Sequence, residues 1–285
     1  MCMPVLPVHG LRSPLLRAKI DYLAKASAMK FTQILFSLTL FAFASAANAQ
    51  LTTRSAAGAN AAAITPMRDQ FRMDIGGGTV AGANGSFGGL RREINWDGVP
   101  APYAAPNYLP ADFFNTTSPR GVVFSTPGTG FQVSGSTGDS GAGQPAAAYF
   151  GNIDLSYTTT FQPFSPQRLF TSLGGNVVDV SFYVPGTNIP AAVTGFGAVF
   201  TDVDQVSTTS LSFFDRANVS LGVFYAAASS GGLSFLGAFT NDGLPDIGRV
   251  RVTLGNTIIG PLDNNGSSDI VVADDFIYGE PRHIN

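Results

Sequence analysis

Downstream of Ala49 the chain carries sixteen aspartates but only two glutamates, Glu93 and Glu280, and the aspartates gather in Gly- and Asn-rich stretches. Asp, Asn and backbone carbonyl oxygens are the hard ligands that Ca²⁺ takes, roughly six to eight at a time. Three groupings offer that chemistry: Asp202 with Asp204, the loop Asp263-Asn264-Asn265-Gly266 running on to Asp269, and the pair Asp274-Asp275. A spacing of two on a strand end puts Asp202 and Asp204 on one side. Adjacent Asp274 and Asp275 point to opposite faces of a regular strand, so only one of them should join a given site. The plainer alternative makes these aspartates turn formers whose carboxylates accept backbone N–H bonds. The full spacing of an EF-hand, with its closing Glu, is absent.

A second grouping, Glu93-Ile94-Asn95-Trp96-Asp97-Gly98, holds the single tryptophan of the chain. An indole stacked on a sugar ring, with Asn95 and Asp97 bonding its hydroxyls and Arg92 adding donors beside Arg91, is a chemistry that grips carbohydrate. The competing reading buries Trp96 at a strand end and makes Asp97-Gly98 a turn. Catalysis is tightly bounded, because beyond Ala49 there is no lysine, no cysteine and one histidine, His283, close to the C-terminus. A Ser-His-Asp arrangement would depend on that tail. Glycoside hydrolysis needs only two carboxyl groups, and Glu93 with Asp97 is a candidate pair that the spacing does not single out. Eleven arginines against eighteen acidic residues give this part of the chain a net charge of −7. That balance argues against a phosphate-neutralising nucleic-acid surface and against docking on anionic lipid.

The elements that must position these groups begin after an export signal. Met29-Lys30 opens a positive n-region, Ile34 to Ala44 is apolar, and Ala47-Asn48-Ala49 is a small-residue cleavage site, so a secreted chain starting at Gln50 is expected. Met29 is the expected start, with residues 1–28 an upstream extension outside the fold. No later apolar run is long enough for a membrane span. With no thiol past Cys2, neither disulfides nor Cys-based metal sites stabilise the exported part. Residues 50–70, rich in Ala, Thr and Asn, read as a flexible leader, with order beginning near Phe71.

From there the chain is short β-branched and aromatic segments punctuated by Gly, Pro, Asn and Asp, and no sustained helical period is evident. Strands are predicted at 91–96, 121–125, 131–134, 168–173, 177–184, 195–201, 209–214, 220–226, 233–239, 248–254 and 270–278. Val178, Val180, Phe182 and Val184 alternate with Asp179, Ser181 and Tyr183, the mark of a half-buried antiparallel strand. The connections are too short for parallel crossovers. One all-β antiparallel β-sandwich over residues 71–281 is the expected architecture, with 282–285 a tail.

Within it, Val193 to Asp204, Ser210 to Asp215, Leu233 to Gly237, Ile247 to Val252 and the closing Ala273-Asp274-Asp275-Phe276 resemble the galactose-binding-like jelly rolls of exported bacterial proteins, the PEP-CTERM-associated type, here without the sorting tail. The resemblance covers about residues 164–281. It implies a jelly-roll fold, a Ca²⁺-holding carboxylate on the last strand at the position of Asp274 or Asp275, and functions that run from glycan binding to uncharacterised surface roles. The combined expectation is a non-enzymatic extracellular module that binds a glycan or mediates adhesion, with Ca²⁺ at Asp202, Asp204, Asp274 and Asp275. A purely structural matrix component is the alternative, and a carboxylate-dependent glycoside hydrolase comes third.

Overall fold

The computed structural model describes residues 50–136, 148–260 and 267–283. The expected signal peptide and upstream extension, and the turn Asp263 to Gly266, lie outside the described residues.

Two antiparallel sheets form the sandwich. The first contains β1 (Leu51–Gly58), β2 (Ser86–Phe87), β3 (Arg91–Ile94), β5 (Gly130–Val133), β6 (Phe170–Leu173), β8 (Gly195–Val203), β11 (Ser229–Thr240) and β13 (Val272–Gly279). The second contains β4 (Val122–Ser125), β7 (Val177–Phe182), β9 (Ser210–Phe214), β10 (Ser220–Tyr225) and β12 (Arg249–Thr253). The first runs β1-β11-β8-β13-β3-β2, with β6 also on β13 and β5 on β6; the second runs β10-β9-β12-β7-β4. All eleven predicted strands are present, and the alternation read in β7 is that of a half-buried strand. Val178, Val180 and Phe182 of β7 are buried while Asp179 and Ser181 are half-exposed. The space between the sheets is filled largely by rings, among them Phe124, Phe170, Phe182, Phe196, Phe200, Phe213, Phe276 and Trp96.

The expected leader is instead ordered. β1 pairs along its whole length with β11, from Leu51 opposite Thr240 to Gly58 opposite Leu233. It is followed by α1 (Ala61–Asp74), which lies on the outer face of the first sheet. Ala61-Ala62-Ala63 supplies strong helix formers, and Gly76 and Gly77 close the helix at positive φ, with the Gly77 amide bonded to the Arg72 carbonyl. Its buried stripe is Ile64, Phe71 and, just past the end, Ile75, packed on Val199, Leu233, Phe235 and Ile277. That stripe is sparse, and Pro66 sits inside it, so the helical period is faint in the sequence. Phe71 seats over two glycines that face each other across the sheet, Gly197 and Gly237. A Cβ on Gly237 would come within 2.8 Å of its ring. With α1 in place, every residue of β8 and β13 is buried.

Candidate functional site

β3 leaves Ile94 and Trp96 on the inter-sheet side and presents Glu93 and Asn95 on the outer face, where α1 ends. There a cavity of about 350 Å³ opens, lined by Arg68 and Arg72 from α1, Phe87, Glu93, Asn95, Arg120, Phe164, Ser165 and Asp275, with Ala81 and Gly85 at its wall. Its volume falls within the usual span of small-molecule sites, roughly 300–1,000 Å³.

The charges around it are arranged as a chain. Arg72 donates to both oxygens of Glu93, at 2.6 and 2.8 Å, and also to Asp69 at 2.8 Å. Arg91 donates to Glu93 as well, and its remaining donors hold the carbonyls of Gly77 and Gly78. Glu93 is thus neutralised by two guanidinium groups. Arg68 lies over the Phe164 ring at 4.6 Å and stands 3.9 Å from Asp275. Its Nε is 2.8 Å from Asp69, but its hydrogen has no acceptor in line. Arg120 donates to the Glu93 carbonyl and to Ser118 Oγ, and among the described residues its charge faces no carboxylate. Burial lowers its pKa.

Asp274 and Asp275 sit at a β-bulge. Ala273 pairs with Phe200 and Phe276 with Ala198, so both aspartates oppose Val199. The bulge cancels the expected alternation, and Ser165 Oγ lies 3.1 Å from Asp274 and 2.8 Å from Asp275. Asp274 Oδ2 also accepts the Phe164 amide at 2.6 Å and the Ser165 amide at 3.2 Å. Burial pushes the Asp274 carboxyl well above the usual carboxylate range, and the neighbouring Asp275 pushes it further; burial also raises Asp275. Of the two, Asp274 is raised further above the ordinary carboxylate value.

The other residues singled out by sequence lie elsewhere. Trp96 is 1% exposed. Its ring stacks on Phe170 at 4.1 Å and meets Phe114, Phe124 and Phe276, while Nε1 donates to the Asp274 carbonyl at 2.7 Å. No face is left for a sugar, which corrects the expectation that Trp96 stacks on one. Asp97 accepts the amides of Gln167 and Arg168 and so fixes that loop. It is not brought to Glu93, whose cavity neighbour is Asp275 instead. Arg92 spends its donors on Glu280 and on the carbonyls of Asn84 and Pro119. Of the four expected ligand-binding residues, Asn95 alone lines the cavity.

The four expected Ca²⁺ ligands fall into two separate sets. Asp202, at positive φ, accepts the Gly231 amide at 2.7 Å, and burial, with Asp204 and Asp269 nearby, raises its pKa to about 6. Fully buried Asp269 accepts the amides of Asp204 and Gln205 and the Thr208 hydroxyl. Asp274 and Asp275 are committed to Ser165 and its neighbours. Among the described residues, no three acidic, cysteine or histidine side chains form a metal-holding group. No helix among them is long and apolar enough to cross a membrane.

Sequence reasoning missed Arg68, Arg72, Arg120, Phe87, Phe164 and Ser165. The i, i+4 spacing of Arg68 and Arg72 was the available signal, hidden by reading the start of α1 as a leader.

No family model, no curated protein and no solved structure matches this chain.

Proposed function

We propose that the chain is an exported, non-enzymatic module of galactose-binding-like, jelly-roll type whose outer-face cavity binds a carbohydrate. The observation that carries this reading is the cavity's lining. Asn95, Ser165, Arg68, Arg120 and Asp275 offer donors and acceptors at fixed positions, and Phe87 and Phe164 add apolar wall. A pocket that fixes a polyol needs that mixture. Each of these rings carries an arginine over one face, Arg91 on Phe87 and Arg68 on Phe164. A thermal-shift screen of the full-length protein against glycans tests the reading. A ligand at a hundred times its dissociation constant stabilises by about 2.7 kcal/mol, and no shift with any glycan counts against the proposal.

A second reading rests on Glu93 and Asp275 lining one cavity. One carboxyl has its pKa raised by burial and the other is held by arginines, the division of labour that glycoside hydrolysis uses. The commitments of Glu93 to Arg72 and Arg91, and of Asp275 to Ser165, favour binding over turnover. Release of reducing sugar that stops in Glu93→Gln would reverse that preference.

A further inference from the structure

We infer that the sugar held in this cavity is acidic, and that its carboxylate docks on Arg120; this rests on the carbohydrate reading above. Arg120 is half-buried. A guanidinium taken out of water needs a counter-charge, and leaving one without a partner is costly. Arg72 and Arg91 meet that need through Glu93, Arg92 through Glu280, and Arg249 and Arg251 through Asp179. Among the described residues, Arg120 has no carboxylate within ion-pair distance. Its partners are the Glu93 carbonyl, Ser118 Oγ and the face of Phe114 at 5.2 Å. These hold the guanidinium in place without cancelling its charge, and the group lines the cavity.

The surroundings point the same way. Gly85, at φ +65°, lies so close that a Cβ there would fall 2.7 Å from Arg120 Nη1, so the backbone is shaped around that side chain. Arg68 enters the same cavity, with Asp69 2.8 Å from its Nε and Asp275 3.9 Å from its Nη1, and adds a second guanidinium to the site. The carboxylates that do line the cavity bring little free negative charge to repel an anion. Glu93 is bonded by two arginines, and Asp275 accepts from Ser165 Oγ and lies 3.9 Å from Arg68. What remains is a recessed site with spare planar donors. A planar fork of N–H groups matches a carboxylate in two parallel bonds, and the neighbouring Asn95 and Ser165 suit ring hydroxyls.

The test is calorimetric titration of the full-length protein with a galacturonate oligomer, the neutral galactose oligomer of equal length, and a sulfated galactose oligomer. The expected result is binding of the uronate, weakening as salt is raised, with the neutral sugar bound about tenfold or more weakly. Arg120→Gln should abolish that preference while keeping the residual neutral-sugar affinity. Should Arg120→Gln fail to fold, Arg68→Gln is expected to weaken uronate binding alone. Equal affinity for uronate and neutral sugar overturns the acidic assignment and leaves the carbohydrate reading standing. Preference for the sulfated sugar overturns the carboxylate assignment, and binding of none of the three overturns both.

Discussion

Single residues in this chain are legible by type more readily than by role. Trp96 and its polar neighbours have the composition of a sugar platform, yet the indole is the centre of an aromatic cluster. Nothing in Asn95-Trp96-Asp97 reveals that Phe124, Phe170 and Phe276, distant in sequence, close over it. Trp96→Ala should therefore cost about 3–5 kcal/mol in denaturant unfolding, as a large ring removed from a core does. A loss under 1 kcal/mol would mean the ring is not buried. On the second sheet, Asp179 takes bonds from Arg249 and Arg251. Burial by itself would raise its pKa, but the two arginines outweigh that and hold it below the ordinary carboxylate value. A depressed pKa adds stability that is full above the unfolded-state value, near 3.9, and is lost as pH falls below it through the folded value. Asp179→Asn is expected to lower stability at pH 7 by on the order of 1 kcal/mol and to converge with wild type in acid. A gap that persists at pH 2 would refute the ion-pair account.

At the level of elements, strands such as β7 and β12 were readable because a buried face and a wet face leave a period of two, and the wholly buried β8 and β13 because their apolar, β-branched and aromatic runs are bounded by turn residues. β1 and α1 were not. β1 is an Ala- and Thr-rich edge strand with little apolar alternation, and α1 has two fully buried side chains in fourteen residues. Both are fixed by what they pack against rather than by their own pattern. The sheet prepares that contact with paired Gly197 and Gly237 beneath Phe71. The bulge at Asp274-Asp275 was equally invisible, since an extra residue in a ladder appears only against its partner strand. Phe71→Ala should destabilise by about 3–5 kcal/mol. Gly237→Val, by displacing Phe71 from the sheet, should cost about 1–3 kcal/mol. If Gly237→Val leaves the thermal midpoint unchanged, α1 does not dock as described. Because α1 carries Arg68 and Arg72, both substitutions should also weaken glycan binding.

For the whole molecule, the sandwich shields its core on one side with a helix, and the cavity opens where that helix ends beside β3 and β13. The proposed function rests on that junction, which joins residues 68 to 275 and has no local signature. The most direct test is calorimetric titration of wild type and Ala81→Trp with glycans identified by the thermal-shift screen. Ala81 is exposed at the cavity wall and takes no part in the ion pairs, so an indole there should fill the space without disturbing the fold. Wild type is expected to bind one glycan per chain, and Ala81→Trp to lose at least tenfold in affinity at an unchanged melting temperature. Equal binding by the two proteins would place the ligand elsewhere, and no heat from wild type with any glycan would contradict the proposed function.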